Sequence, residues 1–310
     1  MKTAFLFSGQ GAQYTGMMKD IVQENQAAQT VFDLADRTLG RSISSLCFEG
    51  PQDDLNLTHN TQPCVLAADL AAYAAITSYG IQPDAVAGFS LGEYGALTAA
   101  GVISMENVFP LIQKRADFMQ DAVPVGEGAM AAVMKLAADD VIALCSEMRG
   151  YVEPANYNCP GQIVVSGEYH AVEQLVQTAK QRKIRVMILP VSAPFHCKMM
   201  GPAAERLKAP LVEINLLSAS VPVYMNVDGK PSDKPDEIIE KLIEQTKSPV
   251  HWEETIRNMY LDGIDTFIEL GPGKTLSGFV KKTLPEESVN IYNVTDQLSL
   301  ESTVMAMKGE

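Results

Sequence analysis

The chain has 310 residues and a mass of 33.6 kDa, with 46% hydrophobic and 20% charged residues, ample material for a buried core. Asp and Glu number 38 against 24 Lys and Arg, and the net charge of −14 argues against the extended basic surface that nucleic acid or an anionic membrane requires. No apolar run reaches transmembrane length, the N-terminal stretch turns polar at Gln10 before a signal-peptide core develops, and five scattered cysteines without a Cys-x-x-Cys pair predict buried free thiols in a reducing cytoplasm.

Thr3 to Phe7 reads as a buried strand that runs into the loop Ser8-Gly9-Gln10-Gly11. Residues 14 to about 60 are helical in character, with breaks at Gly40 and Gly50-Pro51. Gln62 to Tyr79 predicts a buried helix that begins near Pro63 and stops at Gly80. Asp84 to Phe89 is a short apolar strand entering Gly88-Phe89-Ser90-Leu91-Gly92, and a helix-like run, Glu93 to Ala100, follows. Strand, sharp turn and helix in that order mark a parallel α/β protein. A further helix is expected over roughly Glu106 to Gln120.

The pattern changes near residue 126. Ala129 to Leu136, Tyr151 to Tyr157, Gln162 to Ser166 and Ile184 to Leu189 read as strands, with helices at Asp139 to Met148 and Tyr169 to Arg182. This β-α-β-β-α-β order is the split ferredoxin-like unit. The expected organisation is a larger α/β domain with a parallel sheet, residues 1–125 and 191–310, holding an inserted ferredoxin-like subdomain, residues 126–190. After Pro190 the larger domain continues with a strand near Val221 to Asn226, helices near 234–246 and 251–262, a strand at Thr266 to Leu270 and the loop Gly271-Pro272-Gly273.

Gly88-Phe89-Ser90-Leu91-Gly92 fits G-x-S-x-G, in which a tight turn between strand and helix projects a serine hydroxyl and the flanking glycines remove clashes. The following helix aims its free N–H groups at the same place. On the pentapeptide alone, an ordinary turn with Ser90 as a helix cap stays open. Such a serine needs a base. Of the four histidines, His59 falls in a polar stretch read as a loop, His170 opens a surface helix, and His251 beside Trp252 is explained by capping or packing. His196 follows Leu189-Pro190-Val191-Ser192-Ala193-Pro194-Phe195, a stiff loop at the end of a strand, where α/β proteins place active-site groups. Taken alone, a structural histidine remains the better reading.

With these residues collected, the chain resembles the malonyl-CoA:acyl-carrier-protein transacylases and the related acyltransferase domains of fatty-acid and polyketide synthases. The likeness runs in order through Phe7 to Gln13, Leu57 to Pro63, Gly88 to Tyr94, Gln113-Lys114-Arg115, Gly128 to Val133, Asn156 to Gln162, Pro194-Phe195-His196, Gln245 to Val250 and Gly271 to Lys274. The resemblance implies an α/β-hydrolase-like large domain carrying the ferredoxin-like insert. It implies that Ser90 accepts the acyl group, that His196 is its base, and that Gln245 orients His196 through a main-chain carbonyl. It implies an oxyanion hole from the N–H groups of Gln10 and Leu91. Arg115 would grip the free carboxylate of a malonyl group through two parallel hydrogen bonds. Gln62 and Asn158 match positions that line the same pocket.

One departure is plain. Phe89 stands where the family usually has histidine, and offers the pocket an apolar wall instead of a polar tip. Phe195 matches the Phe-His variant of malonyl-selective domains. The implied reaction moves malonyl from coenzyme A to the phosphopantetheine thiol of an acyl carrier protein in fatty-acid synthesis. A free-standing acyltransferase for a polyketide synthase and a serine thioesterase are the alternatives. No metal or redox cofactor is implied, because coenzyme A thioester and phosphopantetheine are substrates. The resemblance implies a monomer; the acidic charge argues against nucleic-acid and membrane partners, and the unpaired cysteines predict a cytoplasmic location. An acidic carrier would need local basic residues, and Lys180, Arg182, Lys183, Arg185, Lys198 and Lys274 are candidates.

Overall fold

A computed structural model describes residues 1–191 and 193–309; Ser192 of the proline-bracketed loop and Glu310 lie outside the described residues. The described residues form ten strands: β1 (Thr3–Phe7), β2 (Ala85–Gly88), β3 (Gly128–Met134), β4 (Val152–Cys159), β5 (Gln162–Glu168), β6 (Arg185–Ile188), β7 (Val223–Tyr224), β8 (Pro231–Ser232), β9 (Thr266–Leu270) and β10 (Asn290–Val294). They form a six-stranded sheet in the order β10-β9-β1-β2-β7-β8 and a four-stranded sheet in the order β4-β5-β3-β6.

In the larger sheet, β10, β9, β1, β2 and β7 run parallel and β8 turns back against β7. Parallel strands covered on both faces read as continuous apolar runs, and β1, β2 and β9 are buried at every position. In β1, Phe5 and Phe7 pack with the helices Gln26–Leu39 and Thr58–Ser78 on one face. Ala4 and Leu6 pack with Trp252 and Phe279 on the other. The period of two is the ordinary alternation of a strand.

The smaller sheet is antiparallel throughout. With helices Ala138–Ser146 and Tyr169–Gln181 on one face, its connectivity is the β-α-β-β-α-β unit. In β3, Ala129, Ala131 and Val133 face those helices. Met130 and Ala132 face the other way and join Met119, Phe195 and Met200 in an apolar cluster between the two sheets. Backbone bonds between β4 and Val250 tie the two parts together: Val250 N–H donates to Ala155 at 2.9 Å and Tyr157 N–H to Val250 at 2.8 Å.

The helix expected from Gln62 begins earlier, at Thr58, and His59 therefore sits in a helical turn instead of a loop. Pro63 lies inside this helix and has no N–H to give the carbonyl of His59. Arg41 and Gln113 donate to that carbonyl instead, at 3.1 Å each. Asn158 and Cys159, read as part of the link between two strands, belong to β4. Helices Gly201–Glu213, Thr275–Thr283 and Gln297–Lys308, and the strand β10, complete the chain.

Candidate active site

The turn after β2 works only because two residues lack a side chain. A Cβ on Gly88 would lie 1.9 Å from the backbone of Gly92, and a Cβ on Gly92 would lie 2.3 Å from the Phe7 carbonyl oxygen. Between them Ser90 has a φ of 56°, the left-handed region that L side chains avoid. The turn delivers the Ser90 hydroxyl to the floor of a cavity of about 470 Å³ between the two sheets.

His196 meets it there. Its Nε2 is 2.6 Å from Ser90 Oγ, and its Nδ1 is 2.8 Å from the main-chain oxygen of Gln245. A carbonyl only accepts, so Nδ1 carries the proton and Nε2 presents a lone pair to the serine. Gln245 lies in the last turn of helix Pro235–Lys247, where carbonyls have no partner within the helix. The residue four places on is Pro249, which has no N–H to offer. His196 is 3% exposed. Burial, with the nearby Arg115 cation, pushes its pKa down to about 4, so the imidazole is neutral at neutral pH.

Arg115 is 1% exposed, on helix Met105–Asp121. Nη1 donates to Gln62 Oε1 at 2.7 Å, and Nη2 donates to Gln245 Oε1 at 2.9 Å and to Ser90 Oγ at 3.1 Å. The guanidinium lies over the Tyr94 ring, 5.3 Å from its centre, and Nε has no partner among the described residues. No carboxylate forms an ion pair with it among the described residues. Burial pushes its pKa down, as expected of a cation with neutral partners.

The Gln10 and Leu91 backbone N–H groups have no hydrogen-bond partner among the described residues, and both residues border the cavity. Gln62, Asn158, Phe89 and Phe195 border it too. Asn158 Oδ1 is buried without a partner among the described residues. Phe89 packs edge-on against Trp252 at 5.4 Å and against Phe279 at 6.2 Å. Of the site residues read from the sequence, Gln245 alone stands behind the cavity wall, where it touches Ser90, Arg115 and His196.

The structure adds two residues. Asn226 is wholly buried and its side chain bonds to the Ser90 N–H at 2.7 Å and the Gly88 carbonyl at 2.7 Å. Glu93, present in the sequence only as the neighbour of the G-x-S-x-G motif, bonds to Asn226 and Gln245. Burial pushes Glu93 up to about 8 against the pull of the Asn226 N–H and the Arg115 cation. An asparagine after a two-residue strand carries no sequence signal.

The other histidines do not reach the cavity lining. His251 stacks on Tyr157 at 5.2 Å, and His170 lies edge-on to Tyr169 at 5.7 Å. All five cysteines are free and buried. Among the described residues no group of three His, Cys, Asp or Glu comes together to hold a metal ion, and no helix is long and apolar enough to cross a membrane. Of the basic candidates, Arg182 is paired with Glu147, while Arg185 borders the cavity.

A family profile described as "Acyl transferase domain" matches residues 4–306. The malonyl CoA-acyl carrier protein transacylase of Bacillus subtilis is 44% identical, with 100% of this chain and 98% of that protein covered. The crystal structure of malonyl CoA-acyl carrier protein transacylase from Clostridium perfringens superimposes with a TM-score of 0.94 at 43% identity, covering 100% of this chain and 98% of that one. A malonyl-transacylase solved in complex with its type II PKS acyl-carrier protein has a TM-score of 0.95 at 35% identity, with 100% of both chains covered.

Proposed function

The chain belongs to the acyl transferase domain family, and from that premise we propose that it moves a malonyl group from coenzyme A to the phosphopantetheine thiol of an acyl carrier protein, through an ester on Ser90, for fatty-acid synthesis. The observation that carries the reading is Arg115: a fully buried cation held by neutral amides, with one nitrogen on the nucleophile itself. An acyl group that ends in a carboxylate brings the missing charge and takes the contact now made to Ser90 Oγ.

Ser90 gives its proton to His196 Nε2 as its oxygen attacks the thioester carbonyl. The oxyanion accepts from the N–H groups of Gln10 and Leu91. The C–S bond breaks, and the imidazolium returns its proton to the departing coenzyme A thiolate. The carrier thiol then gives its proton to His196 and attacks the ester. The C–O bond breaks, and Ser90 recovers the proton. The Gln245 carbonyl, at the negative end of its helix, stabilises the imidazolium in both halves. Gln62 and Asn158 line the acyl pocket, and Phe89 and Phe195 are its apolar walls. The division into a body, 1–125 with 191–310, and an insert, 126–190, is part of the same proposal; all strands of the smaller sheet fall within the insert.

Intact-mass measurement after exposure to malonyl-, methylmalonyl- and acetyl-CoA tests the reading. One malonyl group on the wild-type protein and none on Ser90→Ala is expected. Label that persists at another residue sinks the Ser90 assignment. Adding a fatty-acid carrier and a polyketide carrier in turn distinguishes the pathways. Rapid loss of the ester to water without any carrier favours a thioesterase.

A further inference from the structure

Ser90 is held by its backbone as well as by its hydroxyl. A non-glycine residue at a φ of 56° is strained and persists only where its surroundings over-determine it. Those surroundings are two wholly buried residues that the transfer chemistry does not use, Asn226 and Glu93. Asn226 Oδ1 accepts the Ser90 N–H at 2.7 Å and its Nδ2 donates to the Gly88 carbonyl at 2.7 Å, so one amide spans the turn. Glu93 Oε1 accepts the Asn226 N–H at 2.6 Å, and its Oε2 accepts Gln245 Nε2 at 2.7 Å. Gln245 Nε2 also donates to the Ser90 carbonyl at 2.8 Å. The contacts close a ring from Ser90 through Asn226, Glu93 and Gln245 back to Ser90.

The ring has two consequences. The Ser90 N–H is already taken, so the free donors near the hydroxyl are those of Gln10 and Leu91. The Gln245 amide also has one orientation left. With Nε2 between two acceptors, Oε1 faces Arg115 Nη2 at 2.9 Å. A flipped amide would set donor against donor at Arg115 and acceptor against acceptor at the Ser90 carbonyl.

We propose that Asn226 and Glu93 are positioning residues, Asn226 fixing the Ser90 turn and Glu93 fixing the Gln245 amide and through it the aim of Arg115. The proposal rests on Ser90 as the acyl acceptor and Arg115 as the carboxylate clamp. Two variants test it in the full-length protein with malonyl-CoA, acetyl-CoA and a carrier protein. Asn226→Ala frees the turn; kcat for malonyl transfer should fall about 30-fold or more while KM for malonyl-CoA stays within about threefold. Glu93→Gln keeps the shape but offers one acceptor oxygen where two are used; the malonyl-over-acetyl preference should fall about tenfold. Thermal unfolding reports whether each variant is folded. A folded Asn226→Ala with near wild-type kcat overturns the proposal, and so does a Glu93→Gln with unchanged preference. Where Asn226→Ala does not fold, Glu93→Gln decides alone. Wild-type protein that carries no malonyl ester on Ser90 defeats the functional reading itself, whereas a labelled wild type with unaffected variants defeats only the ring.

Discussion

Pro249 stands four residues after Gln245, and the helix carbonyl it cannot satisfy is the one that His196 Nδ1 meets at 2.8 Å. Helix Pro235–Lys247 ends with Ser248 extended, at φ −129° and ψ 160°, as the residue before a proline prefers. Pro249→Ala restores an N–H and lets the helix run on, so the Gln245 carbonyl acquires a competing donor. A hydrogen bond of about 1 kcal/mol is at stake, and kcat for acyl transfer should fall about fivefold with KM little changed. Steady-state kinetics with malonyl-CoA checks this; an unchanged kcat would show that the proline is incidental.

Arg115→Ala should remove malonyl transfer far more than acetyl transfer, because only malonyl brings a free carboxylate. A fall of about 100-fold or more in kcat/KM for malonyl, against less than about tenfold for acetyl, is expected for a lost charge-assisted pair. Arg115→Lys should recover little, since an ammonium cannot serve Gln62, Gln245 and the substrate in one plane. Equal losses for the two acyl groups would fit a structural arginine.

How far the sequence reveals this arrangement depends on where each partner lies. β1, β2 and β9 are legible because they are buried on both faces and carry unbroken apolar runs. β10 is not, because Asn290-Ile291-Tyr292-Asn293-Val294 is a half-exposed edge strand of mixed polarity. β7 has only two residues. The start of helix Thr58–Ser78 is hidden because its first turns are polar yet buried, with Asn60 bonded to Arg41 and Thr61 to the Leu55 carbonyl. Ser90 and its glycines can be read locally, since the turn itself demands them. Asn226 and Glu93 cannot, since they act on each other across 133 residues of chain.

The pKa of His196 has a consequence for stability. The unfolded chain takes up a proton on this ring as pH falls through about 6.5, whereas the folded protein refuses it until about 4. Its contribution is therefore complete above pH 6.5, declines as pH falls and is flat below about 4. The loss across that window is about 3 kcal/mol. Urea unfolding at pH 7 and pH 4.5 should show wild type losing more stability than His196→Gln, which has no proton to bind there. Parallel losses in the two proteins would place His196 in a more solvated site than its burial indicates.

Phe89→His puts a polar ring beside the Ser90 turn. The ring would leave the edge-on contact with Trp252 and the contact with Phe279, a loss of about 1 kcal/mol from each aromatic pair. Ser90, His196 and the Gln10 and Leu91 donors are untouched, so turnover should survive while the ratio of malonyl to acetyl transfer shifts. A folded but inactive variant would mean that the Phe89 wall holds the turn itself.

Gly92→Ala tests the turn more directly than any change to the serine. The added Cβ would sit 2.3 Å from the Phe7 oxygen and 2.4 Å from the Ser8 oxygen, both backbone atoms at the end of β1. Neither carbonyl can rotate away, because the Phe7 carbonyl accepts the Phe89 N–H at 3.0 Å and the chain continues into the Gly9-Gln10 loop. The helix start must retreat from β1, which carries the Leu91 N–H away from the Gln10 N–H. Overpacking of backbone against backbone costs about 3 kcal/mol or more, and transfer should be lost even where the protein still folds. Gly278→Ala is the control: nothing lies within 4 Å of its Cβ position, in the middle of helix Thr275–Thr283. It should stabilise the fold by about 0.5–1 kcal/mol and leave transfer unchanged. Thermal unfolding of the two variants side by side separates the packing of the turn from the general effect of replacing a glycine.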